Sequence, residues 1–234
     1  MRNLLFGLSG LIFATATAVP AFAQDEEAAE SDWTLSGGVT VVSDYRFRGV
    51  SYTNEKAAIQ PTLTISHSSG FYAGTWQSNL ADSYTYGKWE VDLYAGWSGE
   101  VLSGTTIDAA VLYYYYPDGH GDSDYFEPYV TISHVIGPVT AKTGVSWAPS
   151  SKGTGDEDYV YVFGQLDAAV PNTPLTLTGR LGRQDYGTYS YNEWAVGASA
   201  TFGVLTAGIQ YVDSDLPSVR TQDGGVIFSL DVSF

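Results

Sequence analysis

The sequence predicts an all-β protein, an up-and-down antiparallel transmembrane β-barrel of about twelve strands. Three observations lead to that expectation. The chain is rich in strand formers and turn formers, with 18 Tyr, 6 Trp, 10 Phe and 26 Gly. From Trp33 onward, apolar and polar residues alternate with a period of two, as in a strand whose two faces meet different surroundings. Tight turns and longer polar loops join the strand-like segments in alternation, which is the connectivity of an up-and-down barrel. No stretch after residue 23 has the length and hydrophobicity of a spanning helix. A bilayer could then be crossed only by a closed barrel, in which every backbone group pairs within the protein.

Residues 1–23 read as a secretory signal peptide. Arg2 supplies a positive start, residues 4–19 an apolar run, and Ala21-Phe22-Ala23 an A-x-A site with cleavage after Ala23. Residues 24–32 form an acidic leader carrying Asp25, Glu26, Glu27, Glu30 and Asp32. The barrel is expected over residues 33–234.

In chain order, a first strand carries its alternation from Trp33 through Arg48. Leu35, Val39 and Val41 lie on one face, and Thr40, Val42, Asp44, Arg46 and Arg48 on the other. Further strands are expected at about 57–67, 71–79, 88–98, 105–116, 124–135, 139–148, 158–169, 175–186, 191–202 and 205–213. Short turns fall at 68–70, 99–104, 136–138, 171–174 and 203. Longer loops fall at 49–56, 80–87, 117–123, 149–157 and 214–222, with 187–190 a weaker member. This order places both strand termini at the short-turn, periplasmic end. In the closing strand, Val226, Phe228, Leu230, Val232 and Phe234 share one face, and the other is mostly polar. Ending on Phe234 resembles the closing strand of outer-membrane barrels, whose terminal aromatic serves as an assembly signal.

The face holding Ile59, Leu63, Trp89, Leu93, Val111, Trp147 and Val196 is expected outside, with Trp and Tyr near strand ends as an aromatic girdle. The opposite face holds Gln60, Glu90, Asp92, Tyr94, Asp108, Glu127, Tyr129, Lys142, Arg180, Glu193 and Asp231. Unpaired ions in a dry core would cost several kcal/mol each, so this density of charge predicts a wet or salt-bridged lumen. Asp44, Arg46 and Arg48 are read in two ways. They form a basic ladder that sets ion selectivity, or they make salt bridges to Glu90, Asp92 or Glu127 that fill a narrow barrel. Lys142 and Arg180 are open to the same two readings.

Four stretches resemble the TorF-type porin family, also called Gcw_chp, of Gram-negative bacteria: residues 43–51 (SDYRFRGVS), 70–79 (GFYAGTWQSN), 90–97 (EVDLYAGW) and 113–117 (YYYYP). The resemblance implies an outer-membrane barrel and assigns no catalytic residues.

The function expected is passive diffusion of small polar solutes or ions through the lumen, with a preference for cations. The alternatives are a closed barrel with a structural or loop-binding role and a lipid-active outer-membrane enzyme. The chain carries 26 acidic against 10 basic residues, without the basic clusters that nucleic acid requires. It has no Cys, which excludes disulfides and thiolate sites. The acidic, glycine-bearing loops at 118–124 and 153–158 do not complete an EF-hand pattern and read as a solvated rim. His67, His120 and His134 lack metal-site spacing, and G-x-S-x-G is absent after residue 23. No cofactor is expected. The expected partners are outer-membrane lipid, the barrel assembly machinery and the diffusing solutes, with the oligomeric state left open.

Overall fold

The computed structural model describes residues 31–217 and 220–234, and within residues 1–30 only a backbone pairing of Leu5–Phe6 with Thr15–Ala16. Apart from that pairing, the expected signal peptide, its cleavage site and residues 24–30 of the leader lie outside the described residues.

Twelve antiparallel strands close into one barrel. They are β1 Trp33–Val42, β2 Ala58–His67, β3 Phe71–Ser83, β4 Gly87–Leu102, β5 Thr105–Tyr115 and β6 Tyr125–Ile136. The second half is β7 Val139–Ala148, β8 Tyr159–Ala169, β9 Leu175–Asp185, β10 Ser190–Phe202, β11 Leu205–Ser214 and β12 Gly225–Ser233. Each strand pairs with the next, and β12 returns to β1 through Asp231 opposite Thr40 and Val232 opposite Val39.

Two expected connections are shorter than their composition suggested. The turn expected at 99–104 reduces to Ser103-Gly104, because β4 continues to Leu102 through an irregularity beyond Glu100. The loop expected at 80–87 reduces to residues 84–86, because β3 runs on to Ser83 and resumes pairing with Gly87 after a bulge. In both places the partner strand supplies backbone bonds that outweigh local turn propensity. The larger departure concerns the first strand, which stops at Val42. Asp44, Arg46 and Arg48 therefore lie beyond it, and the ladder expected along β1 does not exist.

The face assignment holds around the wall. Ile59, Leu63, Leu93, Val111, Trp147, Val196, Phe228 and Leu230 are exposed on the outer surface, whereas Gln60, Glu90, Asp108, Glu127, Arg180, Glu193 and Asp231 are buried inside. A mostly apolar exterior over a polar interior is the reverse of a soluble fold and suits a hydrocarbon surrounding. Exposed aromatics gather at both rims. Trp33, Phe71, Phe202 and Phe234 mark the short-turn end, and Tyr84, Trp89, Phe126, Trp147 and Tyr189 the loop end.

The seam depends on small residues. Gly37 and Phe234 exchange backbone hydrogen bonds in both directions, at 3.0 and 2.8 Å. A Cβ on Gly37 would stand 2.9 Å from the Thr62 carbonyl oxygen and 3.0 Å from the Phe234 ring. The bare glycine thus gives the last aromatic ring its seat across the closing strands. Replacing Gly37 with Val should destabilise the refolded barrel by about 1–3 kcal/mol through overpacking. The urea midpoint in detergent micelles measures this, and an unchanged midpoint would show that the seat contributes nothing to closure.

Candidate functional site

The segment between β1 and β2 folds inward at the loop end of the barrel. Ser43-Asp44 ends the first strand with residues that favour turns. Arg46–Phe47 then pairs with Val50–Ser51 as a two-residue ribbon. Its turn is Arg48-Gly49, with φ of 49° and 91°, the positive pair that a primed two-residue hairpin turn requires. Gly49 adopts this conformation without steric cost, whereas at Arg48 it is a strained state that its surroundings must hold in place.

Those surroundings come from distant strands. Arg48 donates from Nη1 to Gln184 Oε1 on β9 at 2.7 Å and from Nη2 to Glu127 Oε1 on β6 at 2.6 Å. Its guanidinium lies 4.2 Å from the centre of the Tyr161 ring on β8, and the Tyr191 hydroxyl on β10 donates to its carbonyl at 2.9 Å. Arg46 serves the segment itself. It donates from Nε to Asp44 Oδ2 at 2.7 Å and from Nη1 to the carbonyls of Gly49 and Asp223. Asp44 Oδ1 in turn accepts from the Ser51 and Thr53 hydroxyls. Backbone bonds from Ser51 to Thr221 and from Ala81 to Tyr52 tie the segment to the β11–β12 loop and to β3. Tyr45, Arg46, Phe47, Arg48, Ser51 and Thr53 are all buried as a result.

The salt-bridge reading of these arginines is correct for Glu127 only. Among the described residues, Glu90 and Asp92 form no ion pair, and Arg46 pairs with Asp44 two residues away in its own segment. The remaining lumen residues form separate groups. Arg180 Nε donates to Glu193 Oε1 at 3.0 Å, and the same oxygen accepts from the Tyr161 hydroxyl at 2.5 Å. Asp108 Oδ1 accepts from Tyr72 at 2.6 Å, lower in the barrel. Lys142 is half-buried on β7 and makes no ion pair among the described residues. Phe234 is at the short-turn rim, outside the lumen.

Sequence reasoning missed Gln184, Tyr161 and Tyr191, which hold Arg48, and also Tyr45 and Phe47, which carry the segment inward. Their signal was weak. On a barrel strand, a Gln or Tyr facing a lumen looks the same whether or not a loop reaches it. Phe47 and Tyr45 pack with Tyr114 and Tyr116 in one buried cluster under the mouth. Burial pushes the Tyr45 and Tyr116 hydroxyls well above the ordinary tyrosine range, and the Glu90 carboxylate facing both is the next cause.

The rim is acidic, as expected, but its carboxylates are partly engaged. Asp124 accepts from the Tyr113 hydroxyl and the Tyr116 amide, and Asp156 pairs with Lys152 at 2.7 Å. His67 and His134 stand at the short-turn end, bonded to Ser69 and Thr105.

A search among curated proteins finds no match to the chain. Among solved structures, the fold is similar to a KdgM porin in complex with disordered oligogalacturonate. That pair is 8% identical with a TM-score of 0.59, covering 86% of this chain and 98% of that one. It is also similar to a NanC porin in a rhombohedral crystal form, at 14% identity and a TM-score of 0.55 over 86% of this chain and 99% of that one. At these identities the likeness is one of fold. Residues 26–232 match the Gcw_chp family, described as a bacterial protein of unknown function, and the chain belongs to that family.

Proposed function

We propose that the protein is a porin-like channel of the outer membrane, exported by a signal peptide cleaved after Ala23, through which small polar solutes or ions diffuse passively. The observation carrying this reading is the closed twelve-stranded barrel with an apolar exterior and a charged interior. The fold likeness to the KdgM and NanC porins supports it, as does the resemblance to TorF-type porins in residues 43–51 and 90–97. The constriction is the inward segment, latched by Arg48. Below it the lumen is more open, since Thr62, Thr64, Tyr72 and Lys142 are only half-buried. Glu90 and Asp92, lacking a counter-cation, would favour cations over anions. Phe234 acts as the assembly signal read by the barrel assembly machinery. The chemistry is non-enzymatic.

One observation favours a second reading, a closed barrel with a binding or structural role. The inward segment packs against walls as far apart as Trp76 on β3 and Tyr191 on β10, so it fills much of the mouth.

Single-channel recording in planar bilayers under a salt gradient decides between the two. Steady conductance steps with a cation-biased reversal potential are expected from the channel, and a folded barrel that conducts nothing would support the closed reading. Replacing Arg48 with Ser removes the partner of buried Glu127, at a cost of about 3–5 kcal/mol in the seating of the segment. Conductance should rise and the reversal potential should move further toward cations. An unchanged trace would remove Arg48 from the constriction.

Alkaline pH tests the latch from another side. Tyr45 and Tyr52 are buried in the seated segment and held above their ordinary value, chiefly by burial. A withdrawn segment would ionise near the ordinary tyrosine value of about 10. The seated state thus keeps its full stability below that pH and loses it progressively above. Conductance is expected to increase above about pH 10, and by less in Tyr45→Phe.

A further inference from the structure

Under the inward segment, Glu90 and Asp92 stand two residues apart on the lumen face of β4. Glu90 is fully buried and Asp92 is 7% exposed. Neither forms an ion pair among the described residues. Glu90 Oε1 meets the Tyr45 hydroxyl at 3.5 Å, and among the described residues Glu90 Oε2 and Asp92 Oδ1 have no hydrogen-bond partner. The arginines that reach the lumen are already committed, Arg48 to Glu127 and Gln184, Arg46 to Asp44 and Arg180 to Glu193.

As ions, two buried carboxylates without a counter-charge are unfavourable by several kcal/mol, a penalty relieved either by protons or by a cation seated between them. The walls discriminate among cations. Calcium or magnesium needs about six or more oxygen ligands. Among the described residues, no group of three or more metal-binding side chains exists. Aromatic rings stand against the pair: Tyr114 lies opposite Asp92 across the β4–β5 ladder, the Tyr45 hydroxyl points at Glu90, and both rings share one buried cluster with Tyr116. Tyrosine faces attract an organic cation and also cover its alkyl part.

We propose that Glu90 and Asp92, with the rings of Tyr45, Tyr114 and Tyr116, form a binding site for a small monovalent organic cation of the alkylammonium class. The carboxylates take the charge and the rings take the hydrocarbon. As a station on a permeation route, the site rests on the channel reading. Tyr45 belongs to the inward segment, so an occupied site also helps to hold that segment in its seat.

The test is calorimetric titration of the refolded protein in detergent micelles with n-butylammonium chloride, beside sodium and calcium chloride at matched ionic strength. Saturable binding of n-butylammonium is expected, with neither inorganic salt reproducing it. Glu90→Gln and Asp92→Asn, each checked for the folded, heat-modifiable form, should weaken it about tenfold or more, the loss of one charged hydrogen bond. No saturable binding to the folded wild-type protein would overturn the site, as would equal binding of sodium or no change in whichever variant folds. The wild-type titration stands even if one variant fails to fold. Conductance without n-butylammonium binding would overturn the site and leave the channel reading intact. Binding to a barrel that conducts nothing would support the site and overturn the channel reading.

Discussion

The structure depends on closure of its backbone ladder. In hydrocarbon, an unpaired amide or carbonyl costs several kcal/mol, so a strand edge within the membrane is not an available state. Pairing β12 with β1 removes the two edges that the twelve-stranded sheet would otherwise have. Gly37 and Gly38 allow the chain ends to approach closely enough to do so. A Cβ on Gly38 would fall 2.8 Å from the Val232 carbonyl oxygen, just as one on Gly37 would meet backbone and the last aromatic ring. The alternation of side chains follows from closure, because a closed pleated wall has one inside and one outside.

The interior then has to accommodate charge. The arginines that reach the lumen are paired in local groups. Arg48 with Glu127 and Gln184 holds the inward segment, and Arg180 with Glu193 and Tyr161 stiffens the wall beside it. Tyr161 links the two groups, since both guanidinium groups lie over its ring, at 4.2 and 5.9 Å. Gly182 leaves the space this needs, because a Cβ there would collide with the Tyr161 hydroxyl and Glu193. Glu90 and Asp92 stand outside these groups, without an ion pair among the described residues.

The inward segment gives the lumen a polarity along its axis. Its hairpin turn places a strained, left-handed arginine at the tip, and contacts from β6, β8, β9 and β10 stabilise that strain. Because these contacts come from several strands, the segment has a defined seat, and it could leave that seat only by breaking a buried ion pair. Such an element is suited to a constriction or a gate, in contrast to the exposed loops that surround it.

Much of this was legible in the sequence. A period of two with glycine-bearing turns determined the strands, their faces and their number, because alternation is a local consequence of strand geometry. Phe234 at the end of β12 resembled the closing strand of outer-membrane barrels, whereas the alternation of β12 by itself fits a half-buried soluble strand equally well. Where β3 and β4 stop was not legible, because the partner strand decides how far a ladder extends. The same limit explains the arginines. Arg46 and Arg48 continue the alternation of β1 in sequence, but the chain turns inward after Val42, and only the closed wall brings Glu127, Gln184 and Tyr161 within reach. Along the strands themselves, the sequence determined which residues face the lumen. Which of them touch was left to the tertiary structure, because contacts across a barrel join residues far apart in the chain and no local pattern records them.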